Sequence, residues 1–151
     1  MPVELSEEHR MLQDLVAKFV DEELMPLEAK IIEREIRGER LRLLPEEEKP
    51  LLAKCSELGL NGLDAPEELG GSNLPTLAMM GVNEELWRTI VPFTFPPDSP
   101  NLHMLMATGT PEQKKKYMEP YARGEAKSAM AISEPGAGGD PSGMITKAEM
   151  V

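Results

Sequence analysis

Apolar residues near the start of the chain recur at the three-and-four spacing of an amphipathic helix. The apolar face is formed by Leu12, Leu15, Val16, Phe19 and Val20. This spacing predicts a helix from about Glu7 to Leu24, with Ser6 as its N-cap and two glutamates at the positive end of the helix dipole. Pro26 lacks a backbone donor and disfavours a helical residue before it, so we expect the helix to break or kink there.

Similar patterns predict further helices along the chain. A second, charge-rich helix is expected near 27–37, with Gly38 as its stop. The remaining helical patterns cover 45–58, 76–90, a short stretch that begins at Ser99-Pro100 and continues through Met106, and 111–122. Gly59 is placed to end one of them in the left-handed capping conformation. The segments 65–74 and 91–100 are rich in turn residues and predict loops.

The pattern changes after Gly124, which ends the last predicted helix. Residues 128–133 are small and mostly apolar and predict a strand, and the alternating residues 145–151 predict a second one. Two strands alone would leave their edges unpaired and bury little apolar area. We therefore expect a mainly α fold, with a helical domain over 1–126 and the first strands of another domain over 127–151, in a fragment of a longer protein.

Composition narrows the class of protein. A chain of 151 residues with 40% hydrophobic residues has a globular composition and can form one ordinary domain. The 27 acidic and 16 basic residues give a formal charge of −11, which disfavours nucleic acid or an anionic membrane as a partner. The sequence contains no apolar run of membrane-spanning length and no secretory signal at its N-terminus, so we expect a cytoplasmic protein without a membrane span.

Three residues of types that often carry chemistry are interpreted as structural. Cys55 lies on the apolar face of a predicted helix, so we expect it to be a small buried hydrophobe. His9 and His103 have no second ligand at a metal-binding spacing, so we expect no metal site.

The sequence Ser-Glu-Pro-Gly-Ala-Gly-Gly-Asp-Pro at 133–141 places three glycines within four positions, directly after the small, mostly apolar run 128–132. Glycine permits left-handed backbone conformations and close approach, so successive N–H groups of such a loop can converge on an oxyanion such as a phosphate. A simple turn is the alternative, and it is the commoner role of segments rich in Gly and Pro.

This loop resembles the flavin-binding signature of the acyl-CoA dehydrogenase family. Two upstream motifs resemble the family's other recurring motifs and occur in the same order. The first is Gly-Leu-Asn-Gly-Leu followed by Ala-Pro-Glu-Glu-Leu-Gly-Gly, within 59–71, and the second is Gly-Thr-Pro-Glu-Gln-Lys-Lys-Lys-Tyr at 109–117. The resemblance covers the chain from about Leu51 onward. It implies a helical N-terminal domain, followed in the family by a β-barrel-like middle domain and a C-terminal four-helix bundle.

The resemblance also implies an activity, the α,β-dehydrogenation of an acyl-CoA thioester with hydride transfer to FAD. A carboxylate must lie within reach of the substrate α-proton. The family's base belongs to the C-terminal bundle, so no residue here is assigned as catalytic, and Glu134 is expected to hold the loop. The implied electron acceptor is an electron-transfer flavoprotein, and the implied assembly of the full-length protein is a homo-oligomer, a dimer or tetramer.

Cofactor contacts carry over residue by residue. Met130 and Ile132 match positions along the isoalloxazine ring, and Ser133 matches a hydroxyl that bonds the pyrimidine edge of the flavin. Gly138 matches the glycine that approaches the pyrophosphate. Gly139 stands where the family usually has a serine that contacts both the pyrophosphate and the CoA part of the substrate. Gly139 can offer only its backbone N–H, so one or both contacts should be weaker.

A second function remains open for the chain. It could be a non-catalytic helical module for interaction or oligomerisation, in which the glycine loop is merely a turn. Because most of the family's cofactor envelope lies outside residues 1–151, we expect this polypeptide alone to bind little or no flavin stably.

Overall fold

The computed structural model describes residues 5–97 and 101–149 and is mainly helical. The predicted first helix is confirmed. Helix α1 spans Glu7–Phe19 and begins at Ser6, whose hydroxyl accepts a hydrogen bond from the His9 amide at 3.2 Å. Within the described ranges, no helix has the length and apolar character needed to cross a membrane.

The chain does not break at Pro26 but changes its helical hydrogen bonding around it. A π turn at Val20–Leu24 and a 3₁₀ turn at Met25–Leu27 join α1 to α2, which spans Glu28–Ile36. The Met25 amide bonds to the carbonyl of Val20, five residues back, and the Glu28 amide bonds to Met25. Because the proline lacks an N–H and its ring crowds the carbonyl four residues back, the neighbouring bonds lengthen and shorten to accommodate it.

The next two helices are also found where they were predicted. Helix α3 spans Pro45–Leu58 and ends at Gly59, which has a φ of 70° and is left-handed as expected. Helix α4 spans Thr76–Leu86, four residues shorter than predicted. It ends early because the carboxylate of Glu28 binds the next residues, accepting from the Thr89 hydroxyl at 2.8 Å and the Ile90 amide at 3.3 Å.

The last helices form a second group. Helix α5 spans Asn101–Thr108, and its predicted start at Ser99-Pro100 lies outside the described residues. A capping box between Thr110 and Gln113 opens α6, which spans Pro111–Gln113. A π turn at Lys114–Met118 then leads into α7, Glu119–Ala122. Short 3₁₀ turns occupy Glu67–Leu69 and Pro141–Gly143.

Gly124 follows α7 at a position that only glycine fits. Its φ is 75°, and a Cβ built there would lie 2.6 Å from the Cβ of Pro96. The carbonyl of Pro96 also accepts a hydrogen bond from the Gly62 amide at 2.7 Å. The irregular segment after α4 therefore packs tightly against the end of α7.

The core consists of two clusters. In the larger one, the rings of Phe19, Phe93 and Phe95 meet with centroids 5.5 to 5.9 Å apart. Around them lie the buried residues Val16, Val20, Leu24, Ile31, Leu51, Cys55, Leu60, Leu63, Val82, Leu86 and Val91. The smaller cluster is formed by Ala65, Leu102, Met118, Tyr121 and Ala122. It joins α5 to α7 and supports the chain as it leaves the helices.

A buried ion pair joins α2 to α3. The guanidinium of Arg34 binds both carboxylate oxygens of Glu47, at 2.8 and 2.5 Å. Glu47 also accepts from the Leu44 amide at 2.9 Å. The bond from Arg34 lowers the pKa of the Glu47 carboxyl.

Neither of the two predicted strands is formed in the described residues. The chain from 128 to 133 is irregular, and 145–149 has no strand pairing; the remaining positions of the second strand are outside the described residues. The described ranges contain only an isolated bridge between Glu134 and Ala137. A strand is defined by hydrogen bonds to a neighbouring strand, and neither segment has such a partner in this part of the chain.

Candidate functional site

The segment that carries the predicted flavin contacts leaves the helices through two polar contacts. The ammonium of Lys127 lies 2.6 Å from the carboxylate of Glu48 on α3, at the surface. The next residue, Ser128, donates its hydroxyl hydrogen to the Tyr121 hydroxyl at 2.8 Å and accepts from the side-chain amide of Asn101, also at 2.8 Å. We call the group of Asn101, Ser128 and Tyr121 the Ser128 clasp.

Two of the three clasp residues, on α5 and α7, are buried, and Ser128 is half-buried. Asn101 is 6% exposed and Tyr121 2% exposed, and Tyr121 belongs to the smaller core cluster. The Oδ1 atom of Asn101 has no hydrogen-bond partner in the described structure. Sequence reasoning missed both residues as parts of a site, because a lone Asn and Tyr on separate helices give no signal of a common partner.

Beyond the clasp, the predicted ring-contacting residues are exposed. Met130 is 52% exposed and Ile132 44% exposed, while Ser133 is exposed and its hydroxyl has no hydrogen bond to the described residues. Apolar side chains this open to solvent carry no packing role in the helical domain. They form a surface that another group can cover.

The glycine loop that follows is closed on itself. Glu134 and Ala137 exchange two backbone hydrogen bonds of 3.0 Å. The carboxylate of Glu134 accepts from the amides of Ile145 and Thr146 and from the Thr146 hydroxyl. These bonds, the Thr146 hydroxyl foremost, lower the pKa of the Glu134 carboxyl. Glu134 thus holds the two ends of the loop together, which is the role expected for it.

The three glycines of this loop have no structural reason to be glycine. None of Gly136, Gly138 and Gly139 has a left-handed φ, and a Cβ added to any of them would meet no atom within 4 Å. Their amides have no hydrogen-bond acceptor in the described structure. The expected left-handed conformation is therefore not what the glycines provide. They provide open, unpaired N–H groups that an approaching molecule can reach.

Cys55 is confirmed as a buried hydrophobe. It is 0% exposed, and burial raises the pKa of its thiol to about 12. His103 lies 3.9 Å from a carboxylate oxygen of Asp64 at the surface. Across residues 5–97 and 101–149, no group of three or more His, Cys, Asp or Glu side chains could hold a metal ion.

Comparison with known proteins points to one class, the acyl-CoA dehydrogenases. The family model for the acyl-CoA dehydrogenase N-terminal domain matches residues 6–125. The chain therefore belongs to the acyl-CoA dehydrogenase family, as its three sequence motifs predict. It is 43% identical to (R)-benzylsuccinyl-CoA dehydrogenase of Thauera aromatica, covering 98% of this chain and 38% of the relative. It is 40% identical to mitochondrial isovaleryl-CoA dehydrogenase of Pongo abelii, covering 96% of this chain and 33% of the relative.

Solved structures agree with the sequence relatives. An acyl-CoA dehydrogenase from Geobacillus kaustophilus superposes with a TM-score of 0.71 at 26% identity, covering 94% of this chain and 35% of that one. An acyl-CoA dehydrogenase complexed with FAD from Bacillus anthracis gives a TM-score of 0.67 at 29% identity, covering 95% of this chain and 24% of that one. The chain spans about a third of the length of the curated relatives it matches.

Proposed function

We propose that this chain supplies the helical domain and the first cofactor-binding residues of an FAD-dependent acyl-CoA dehydrogenase. The observation that carries this proposal is the pair of exposed loop glycines, Gly136 and Gly138, that neither φ nor packing requires. A ligand that approaches the backbone closely accounts for them. The FAD complex of the Bacillus anthracis relative supports the choice of ligand.

The residues present fit FAD. Met130 and Ile132 offer exposed apolar side chains for the face of an isoalloxazine ring, and the open hydroxyl of Ser133 suits the polar edge of the ring. The unpaired amides of Gly138 and Gly139 suit the pyrophosphate. When bound, the flavin supplies a hydride acceptor for the β-hydrogen of the substrate. A hydrogen bond from Ser133 to the ring favours negative charge on its reduced form.

The proposed substrate is an acyl-CoA thioester. The two relatives named above are dehydrogenases of CoA thioesters, one with an aryl-substituted and one with a branched acyl group. Gly139 offers the CoA moiety only its N–H, so this chain contributes a weaker contact there than a serine would. We assign no residue of this chain as the catalytic base. We further propose that an electron-transfer flavoprotein accepts the electrons, that the full-length protein is a homo-oligomer, and that it is located in the cytoplasm.

A glycine substitution tests FAD binding separately from folding. Gly138→Ala in the complete gene product should raise the FAD dissociation constant about tenfold, because a methyl group blocks close approach of the pyrophosphate. Its thermal stability should not fall, since the added Cβ meets nothing. The control is Gly143→Ala in the same loop, where the nearest atom lies at an ordinary 3.7 Å. A wild-type protein that binds no FAD, or an unchanged dissociation constant in Gly138→Ala, contradicts the proposal.

The non-catalytic module has one observation in its favour. Leu77, Met80 and Trp87 lie along one exposed side of α4 and its end, and Trp87 is 66% exposed. A complete gene product that binds no FAD but self-associates, and loses that association in Trp87→Ser, would support the module instead of the enzyme. Size-exclusion chromatography with light scattering measures this association.

A further inference from the structure

Residues 129–149 have no hydrogen bond or ion pair to the helices in the described structure. The bonds of the glycine loop are internal, between Glu134, Ala137 and residues 145–146 or between Asp140 and Ser142. The course of the segment with Met130, Ile132 and Ser133 is therefore set by its last polar attachments, at residues 127 and 128.

These two attachments differ in burial. Lys127 is 68% exposed in its ion pair with Glu48, and such surface pairs contribute little to stability or orientation. The Ser128 clasp is closed by two bonds of 2.8 Å that involve almost fully buried partners. Hydrogen bonds of buried groups hold geometry more tightly, because a displaced partner leaves an unsatisfied polar atom behind.

The hydrogen bonding of Asn101 points to a function for the clasp. Its Nδ2 has a single bond, to Ser128, and its Oδ1 has no partner in the described structure. Burying an amide with half of its hydrogen bonding unmet is unfavourable, so a packing role alone favours an apolar residue at this position. We therefore interpret the side-chain amide of Asn101 as a group that holds Ser128 in place through this hydrogen bond.

We propose that the Ser128 clasp positions the FAD-facing segment, with Asn101 and Ser128 as positioning residues for Met130, Ile132 and Ser133. This inference rests on the proposed function. The clasp fixes the backbone two residues before Met130. The contacts that residues 130–133 make to the cofactor then form without a further loss of backbone freedom.

Ser128→Ala tests the clasp in the complete gene product. It removes both bonds, so the rate of thermolysin cleavage within residues 129–134 of the FAD-free protein should rise about tenfold, and the FAD dissociation constant should rise about tenfold. Ser128→Thr keeps the hydroxyl and should restore both values to within about twofold of wild type. The control Ser72→Ala removes an exposed hydroxyl outside the clasp and should change neither value.

The outcomes separate the two proposals. If wild type binds FAD and Ser128→Ala changes neither the cleavage rate nor the FAD affinity, the positioning role is wrong and the proposed function stands, even when the melting temperature falls. If wild type binds no FAD, both are wrong. Should Ser128→Ala fail to fold, Asn101→Ala leaves the bond between Ser128 and Tyr121 in place and is expected to weaken FAD binding in the same direction. Unchanged affinity in a folded Asn101→Ala protein overturns the clasp.

Discussion

Gly124→Ala is expected to destabilise the protein by about 2–4 kcal/mol. A left-handed φ of 75° costs a non-glycine residue about 1–2 kcal/mol. Alanine also has less conformational entropy than glycine in the unfolded chain, which offsets about 0.4–1 kcal/mol of this cost. The added Cβ would lie 2.6 Å from the Cβ and 3.0 Å from the Cγ of Pro96. A proline ring held by its own backbone cannot move aside cheaply, so overpacking adds about 1–3 kcal/mol.

Gly38→Ala is the matched control for this experiment. Gly38 has a φ of 73°, but a Cβ there meets no atom within 4 Å. Only the conformational cost remains, so we expect a loss of about 0.5–1 kcal/mol. Urea unfolding followed by circular dichroism of the helices measures both variants. Equal losses at the two positions would refute the reasoning, because the contact with Pro96 is the difference between them.

Three further predictions concern the loop and the core. Gly139→Ser should lower the FAD dissociation constant about tenfold, measured by flavin fluorescence, because a hydroxyl gains a bond to the pyrophosphate and the site has room for a Cβ; weaker binding would contradict this. The pKa of the Glu134 carboxyl is lowered in the folded state, so its stabilisation of the loop is present above the ordinary carboxyl pKa and lost as the pH falls through the lowered value. Protection of the Thr146 amide, measured by NMR hydrogen exchange, should therefore fall once the pH drops below the ordinary carboxyl pKa, and constant protection would argue against this role. Burial raises the pKa of Cys55 to about 12, so a thiol reagent should label it only after unfolding, and rapid labelling of the folded protein would disprove its burial.

Local signals in the sequence predicted the helices well. The caps at Ser6 and Gly59 and the capping box at Thr110 act between residues a few positions apart, so they can be recognised without knowledge of the fold. The effect of Pro26 was predicted less well, because the helical path continues through it. Pro26 and Pro120 each lie two residues after the end of a π turn. Core packing around these prolines keeps the helical path, and propensity alone does not contain that information.

Features that depend on residues far away along the chain could not be predicted from the sequence. The early end of α4 depends on Glu28, which lies more than sixty residues upstream of Ile90. The strand predicted at 128–133 has the right composition but no paired neighbour in the described structure, and strand formation depends on that neighbour. The predicted site residues came from the family resemblance, whereas the clasp that holds them depends on contacts across 27 positions between Asn101 and Ser128.

Closure of the glycine loop by the carboxylate of Glu134 has a consequence for ligand affinity. A free loop of this length would have to become ordered at the moment of association, and the lost entropy would weaken the complex. Here the ordering accompanies folding, because one side chain already links the two ends. The proposed pyrophosphate site is thus preorganised, because the spacing of its amides is set before a ligand arrives.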